Sequence, residues 1–158
     1  MIQKGQPLPS ATLNEFNSEG MQAHNTSELF ANKRVVLFAL PGAFTPTCSE
    51  AHLPGYIALN ADLKAAGADI IACVSVNDAF VMNAWGKAQD AGDIMMLADG
   101  DASFTKALGL EMDTAGFGGV RSQRYAMIID NGVVTELNVE APQAFEVSNA
   151  ETMLAALK

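Results

Sequence analysis

The stretch from Val35 to Cys48 restricts the possible folds of this chain more than any other part of it. Val35–Leu40 reads VVLFAL, an apolar run with the length of a buried strand. The segment PGAFTPTC follows at once, and a helix is predicted from about residue 45 to residue 66, ending at Gly67. A core strand that leads into a helix through a short loop is typical of layered α/β proteins. We therefore expect Cys48 in the first turn of a helix, at the end of a core strand.

The start of this helix has two possible caps. Either Thr45 is the N-cap with a proline after it, or Thr47-x-x-Glu50 is a capping box. Both place Cys48 where unpaired backbone N–H groups concentrate partial positive charge, and this favours the reactive thiolate form of a cysteine. Pro54 predicts a kink near Ala51.

Composition limits the classes of partner and compartment. The chain has 158 residues, 49% of them hydrophobic and 17% charged, which fits one globular domain over residues 1–158. The net charge of −9 disfavours nucleic acid and anionic membranes as partners. Two cysteines form no disulfide framework and suit a reducing compartment. With neither a signal-peptide pattern nor an apolar membrane span, we expect a cytoplasmic protein.

The rest of the chain alternates between predicted strands and helices. Residues 1–32 are expected to be an extended lead-in with a turn at 17–20 and one helical turn at 26–30. The later elements are a strand at 68–76, a helix at 78–91 capped by Asn77 or Asp78, a strand at 94–97, a helix at 101–108, a glycine-rich loop at 110–121, two strands at 125–130 and 132–139, and a helix from a capping box at 148–151 to residue 157. This order predicts a mixed central sheet with helices on both faces, as in the thioredoxin-like class.

Three separated motifs carry a resemblance to a known family. The spacing Pro41-x3-Thr45-x2-Cys48 resembles the peroxiredoxin signature. PGAFTPTCSEAHLPGY at 41–56, VSVNDAFVMNAWG at 74–86 and RSQRYAMIIDNGVV at 121–134 are similar to the type II branch, the peroxiredoxin-five-like subfamily. The resemblance extends over about the whole chain.

The resemblance implies a thiol-dependent peroxidase that reduces hydrogen peroxide and small alkyl hydroperoxides through a sulfenic acid at Cys48. Thr45 would lie near the sulfur and the bound peroxide, and Pro41 would shield the pocket from water. Arg124 occupies the position of the family's catalytic arginine. The chemistry is consistent with these roles, because a guanidinium is always charged and can hold a thiolate and polarise a peroxide.

Further substrate contacts are expected from Thr47 and Phe44, next to Cys48 in the motif. First-turn backbone N–H groups can bind a peroxide oxygen as charge develops on it. Because the chemistry belongs to one thiolate, no metal, haem or flavin cofactor is implied.

The second cysteine, Cys73, lies within an apolar run and is expected to be a buried core residue rather than a resolving thiol. Some family members carry a resolving cysteine late in the chain, but the aligned position here is Ser148. The resemblance therefore implies a one-cysteine cycle, in which an external thiol reduces the sulfenic acid. Glutaredoxin, glutathione and thioredoxin are the candidate reductants.

Two more polar residues are secondary candidates for the site. His52 follows Cys48 by four residues and could be a base, a metal ligand or a hydrogen-bonding histidine at the edge of the site, and the last is preferred. No metal site is expected, because Cys48 and His52 supply too few ligands for zinc. Arg121 could support the site or lie on the surface.

Aromatic side chains suggest how the chain could associate. Phe44, Phe80 and Trp85 are candidates for an exposed apolar patch, and the resemblance implies a non-covalent homodimer. A different functional class stays open: a non-catalytic thioredoxin-like redox sensor or binding module, in which Cys48 is oxidised once without turnover. A cysteine hydrolase is a third hypothesis.

Overall fold

The chain folds around a seven-stranded mixed β-sheet, in a computed structural model that describes all residues from Met1 to Lys158. Its neighbouring strands follow the order β2-β1-β5-β4-β3-β8-β9, and β6 and β7 form a separate two-stranded sheet. The nine strands are β1 (Thr12–Asn17), β2 (Gly20–Asn25), β3 (Arg34–Ala39), β4 (Ile70–Ser75), β5 (Met95–Ala98), β6 (Glu111–Asp113), β7 (Val120–Ser122), β8 (Tyr125–Asp130) and β9 (Val133–Val139).

Helices connect the strands and close the chain. They are α1 (Thr26–Leu29), α2 (Leu53–Ala58), α3 (Asn60–Ala65), α4 (Ala79–Gln89), α5 (Ser103–Leu108) and α6 (Ala150–Leu157), with a π-helical turn at Cys48–His52 before α2. None of these helices has both the length and the apolar character that crossing a bilayer requires.

The two continuous apolar runs form the centre of the sheet, as the sequence predicts. β3 pairs in parallel with β4 and antiparallel with β8, and β4 pairs in parallel with β5. These central strands are covered on both faces, which explains why their sequences are apolar throughout instead of alternating.

Successive residues of β3 and its continuation belong to two different cores. Val36, Phe38 and Leu40 pack in the layer that also holds residues of α2, α3, α4 and α6. Their alternate neighbours, such as Val35 and Leu37, pack on the opposite face with residues of α5. The period of two along the strand thus places helices on both faces of a mixed sheet, and the predicted α/β fold of the thioredoxin-like class is confirmed.

Two segments contain more strand than the sequence predicts. The lead-in forms a hairpin, in which β1 pairs with β2 around the expected turn at residues 17–20. The glycine-rich segment expected to be a loop is also a small hairpin, in which β6 pairs with β7. Its tip contains Gly119 with φ of +68°, a conformation that glycine adopts without strain.

Several local signals act as predicted. Asp78 caps α4, because its side chain accepts a hydrogen bond from the N–H of Val81. The β8–β9 turn has Asn131 and Gly132 at φ of +48° and +80°, which is the backbone that an Asn-Gly hairpin turn requires.

Candidate active site

The loop after β3 delivers Cys48 to the start of a helix, and Thr45 stands at the N-cap position, as one of the two predictions has it. Helical conformation begins at Pro46, two residues before Cys48. The carbonyl of Thr45 accepts from the N–H of Ser49 at 2.9 Å, and its hydroxyl donates to the carbonyl of Gly42 at 2.7 Å. Thr47 has helical backbone angles and makes no capping hydrogen bond, so the capping box predicted with Glu50 is wrong.

The helix is irregular where Pro54 predicts a kink. Residues 48–52 form a π-helical turn, in which the N–H of Leu53 donates to the carbonyl of Cys48. In a regular α-helix it would donate to the carbonyl of Ser49 instead. Pro54 has no N–H, so it cannot donate to the carbonyl of Glu50 in the usual α-helical pattern. The hydrogen-bond register therefore changes directly after Cys48, and such single π turns are frequent at functional sites.

Sheet pairing brings Arg124 to Cys48. In the antiparallel ladder of β3 and β8, Ala39 is opposite Tyr125, so Arg124 lies beside the end of β3 where the loop to Cys48 begins. Nη2 of Arg124 donates a hydrogen bond to Sγ of Cys48 at 3.2 Å. The Cys48 side chain is fully buried. The sulfur thus has a permanent cation within hydrogen-bonding distance.

His52 holds the other end of the same guanidinium. Nη1 of Arg124 lies 2.8 Å from Nδ1 of His52, and Nε2 of His52 lies 3.1 Å from the carbonyl oxygen of Ser148. Burial, and then the charge of Arg124, lower the pKa of His52 to about 3. The ring is therefore neutral, with Nε2–H donating to Ser148 and Nδ1 accepting from Arg124. His52 is a buried hydrogen-bonding residue, which agrees with the preferred interpretation.

Glu140 fixes the segment that carries Ser148. Its carboxylate accepts hydrogen bonds from the N–H groups of Glu146, Val147 and Ser148 and from the Ser148 hydroxyl, at 2.7 to 2.9 Å. Burial raises the pKa of Glu140, but these hydrogen bonds outweigh that effect and leave the pKa below its usual value. The Ser148 hydroxyl is thus bonded to Glu140, and the prediction that Ser148 heads a capping box is wrong. Asn149 caps α6 instead, accepting from the N–H of Thr152.

A cavity of about 700 Å³ adjoins this cluster. Its wall includes Pro41, Thr47, Arg124 and Glu140, together with Met112 from the β6–β7 hairpin. The remaining lining residues are Thr114, Gln123, Ala141, Pro142, Gln143 and Ala144. A small molecule in this space would reach the guanidinium that contacts Cys48.

Arg121 and Cys73 make no hydrogen bond to the Cys48 sulfur. Arg121 donates to the carbonyls of Gly118 and Val76, at 3.0 and 2.8 Å, so it ties the β6–β7 hairpin to the end of β4. Cys73 is buried in β4, and burial raises the pKa of its thiol well above the usual value. Both cysteines are free thiols.

The predicted aromatic patch is only partly exposed. Phe44 and Phe80 are 56% and 60% exposed, but Trp85 is fully buried, so its assignment to an exposed patch is wrong. The indole N–H of Trp85 donates to the hydroxyl of Ser49, next to Cys48, at 3.0 Å. Phe44 is not part of the cavity wall, and its ring centroid lies 6.4 Å from that of Trp85.

Sequence reasoning missed Glu140 and Phe145. Glu140 is a single acidic residue after a strand, and nothing in the sequence distinguishes it from surface glutamates. Phe145 lies beneath Arg124, with the guanidinium carbon 5.8 Å from its ring centroid. Both act through contacts between segments that only the fold brings together.

Comparison with known proteins shows the family to which the chain belongs. The model of the Redoxin family matches residues 3–154. Peroxiredoxin-2E-2, chloroplastic, from Oryza sativa subsp. japonica is 52% identical over 164 residues, which cover 99% of this chain and 72% of the rice protein.

Solved structures agree in both fold and sequence. Reduced Prx3 from Vibrio vulnificus in complex with H2O2 is 76% identical, with a TM-score of 0.99 and full coverage of both chains. Peroxiredoxin 5 from Alvinella pompejana is 34% identical, with a TM-score of 0.88 and coverage of 99% of this chain and 98% of that one. These similarities favour an enzyme over a non-catalytic sensor. The chain belongs to the Redoxin family and is a peroxiredoxin of the thioredoxin-like superfamily, a thiol-dependent peroxidase.

Proposed function

We propose that Cys48 is the peroxidatic cysteine, and the observation that carries this proposal is the 3.2 Å hydrogen bond from Arg124 to its sulfur. The thiolate attacks one peroxide oxygen, so that an S–O bond forms while the O–O bond breaks. Sulfur loses two electrons to the peroxide and becomes a sulfenic acid. The leaving hydroxide or alkoxide takes up a proton and departs as water or an alcohol.

The other residues near the sulfur each have a separate role in binding the peroxide or stabilising charge. Arg124 stabilises the thiolate and the charge that develops on the leaving oxygen, where a fixed cation lowers the barrier without reorganisation. The Thr45 hydroxyl already donates to Gly42, so its lone pairs are available to accept a hydrogen bond from the peroxide. Pro41 and Thr47 line the adjoining cavity, where Pro41 excludes water and Thr47 contacts substrate.

Hydrogen peroxide and small alkyl hydroperoxides are the proposed substrates. The 76% identical Prx3 from Vibrio vulnificus was solved in complex with H2O2, which supports hydrogen peroxide. The cavity of about 700 Å³ has room for more than hydrogen peroxide, and Met112 and Pro142 in its wall suit a short alkyl group.

An external thiol is the proposed reductant, supplied by glutaredoxin, glutathione or thioredoxin. Cys73 is a poor resolving thiol, because it is fully buried in the central strand β4 and its raised pKa disfavours the nucleophilic thiolate. The resemblance places Ser148 at the late resolving position of other members, and its hydroxyl donates to Glu140.

Exposed aromatic rings and free cysteines bear on assembly and location. We propose a non-covalent homodimer, as the resemblance to the peroxiredoxins implies, formed through the exposed rings of Phe44 and Phe80. We place the protein in the cytoplasm, where its two unpaired cysteines remain reduced.

The two cysteines provide a matched pair of variants. Cys48→Ser should abolish peroxide consumption, because serine cannot carry the sulfenic acid. Cys73→Ser should retain turnover when glutathione or glutaredoxin is supplied, and peroxide loss under steady-state conditions measures both. Residual turnover by Cys48→Ser would reject the proposed nucleophile. A Cys73→Ser enzyme that stops after one turnover would reject the one-cysteine cycle.

A further inference from the structure

We propose that Glu140 is a positioning residue for the peroxide step, which holds the Arg124 guanidinium against Cys48 through Ser148 and His52. The inference rests on the proposed role of Arg124 in that step. It assigns a function to a carboxylate that does not touch the sulfur, and each link from Glu140 to Cys48 is a hydrogen bond in the structure.

The first link is the fold of the segment after β9. Glu140 is only 7% exposed, and its carboxylate accepts the N–H groups of residues 146–148 and the hydroxyl of Ser148. Burying a carboxylate is costly unless hydrogen bonds compensate, so these donors are what keeps it charged in this place. The carboxylate therefore bends residues 141–148 back toward the sheet and fixes the backbone at Ser148.

The second link is the carbonyl of Ser148. It accepts two hydrogen bonds, from the hydroxyl of Tyr56 at 2.7 Å and from Nε2 of His52 at 3.1 Å. A carbonyl in this position sets the tautomer of His52, because the ring must carry its proton on Nε2 to donate there. Nδ1 is then an acceptor, which is the only form that Arg124 can donate to.

The third link is the guanidinium. His52 holds Nη1, Phe145 lies under the guanidinium plane, and the edge of the His52 ring meets Phe145 at 5.1 Å between centroids. Because the guanidinium is planar and rigid, fixing Nη1 also fixes the direction of Nη2 toward Cys48. The backbone N–H of Glu140 also donates to the carbonyl of Arg124 at 2.9 Å, so Glu140 constrains both ends of this residue.

The test is a double-mutant cycle on the rate of Cys48 oxidation. Trp85 is the single tryptophan of the chain and bonds the residue next to Cys48, so its fluorescence in a stopped-flow instrument follows the reaction with hydrogen peroxide. Arg124→Ala should slow this step by ~100-fold, the typical loss of a transition-state donor. Glu140→Gln should slow it by about tenfold, through misplacement of the guanidinium. In the Arg124→Ala background, Glu140→Gln should cause no further loss.

The cycle distinguishes positioning from general damage to the fold. A merely structural effect would slow the Arg124→Ala enzyme again, so additive losses would overturn the inference. A wild-type rate for Glu140→Gln would also overturn it while leaving the role of Arg124 intact. A wild-type rate for Arg124→Ala would instead reject the proposed function on which the inference rests. Glu136→Gln, on β9 and paired only with Lys4, is the matched control and should react at the wild-type rate.

A second variant covers the case in which Glu140→Gln does not fold. His52→Phe keeps an aromatic ring among Phe38, Tyr56 and Phe145. It removes both ring nitrogens, and with them the hydrogen bonds to Ser148 and Arg124. It should show the same loss of about tenfold, again absent in the Arg124→Ala background. A wild-type rate for His52→Phe would break the proposed chain at its middle link.

Discussion

His52 is bonded at both ring nitrogens while fully buried, so its protonation is tied to folding. Protonating Nδ1 would place a second cation against the Arg124 guanidinium. The spacing of Thr45 and Cys48 predicts a site at this cysteine, and the resemblance to the peroxiredoxins predicts Arg124 as its partner. The protonation state of His52 could not be predicted from the sequence, since it depends on Ser148, which is distant in the chain.

This coupling predicts how stability changes with pH. The folded protein keeps His52 neutral down to a pKa of about 3, whereas the unfolded chain binds that proton near the ordinary value of 6.5. The unfolded state then holds more protons, so the free energy of unfolding falls as pH is lowered from 7 to 5. His52 alone should contribute about 2 kcal/mol of this fall.

Urea denaturation at the two pH values measures the effect. His52→Phe should lose less stability than the wild type between pH 7 and pH 5, by about 2 kcal/mol. Equal falls for the wild type and His52→Phe would contradict a buried neutral ring.

The secondary-structure elements divide into those that a local signal specifies and those that need a partner. β3, β4 and the β8–β9 turn are evident from apolar runs and from Asn131–Gly132. The β1–β2 hairpin is less evident, because the apolar residues of β1 alternate poorly and β2 lies at the edge of the sheet. At α6, Ser148 and Asn149 are equally good caps locally, and Glu140 decides between them by engaging the Ser148 hydroxyl.

The cap of α6 gives a direct check. Asn149→Ala removes the side chain that accepts from the N–H of Thr152, and it should cost about 1 kcal/mol of unfolding free energy. Asn149→Ser should recover most of this loss, because serine can accept the same bond. Denaturant titration at neutral pH measures both variants. If alanine were as stable as asparagine here, the assignment of Asn149 as the cap would be wrong.

In the whole molecule, the order of strands assembles the site. β3, β8 and β9 are neighbours in the sheet. The end of β3, the start of β8 and the end of β9 lie side by side, and they lead to Cys48, Arg124 and Glu140 respectively. Cys48 and Arg124 are 76 residues apart in sequence. The alternation of elements predicts a mixed sheet, but it does not specify this strand order, so the partners of Arg124 beyond Cys48 emerge only from the fold.

The first measurement to make is the intact mass of the protein after one equivalent of hydrogen peroxide, before and after glutathione is added. If Cys48 is the active thiol and Cys73 is inert, the protein should gain one oxygen atom, on Cys48. Glutathione should then remove this oxygen or replace it with a glutathione adduct. A loss of two hydrogens with no oxygen retained would mean a disulfide that involves Cys73, and an unchanged mass would mean that Cys48 is an inert core residue; either result would contradict the one-cysteine mechanism.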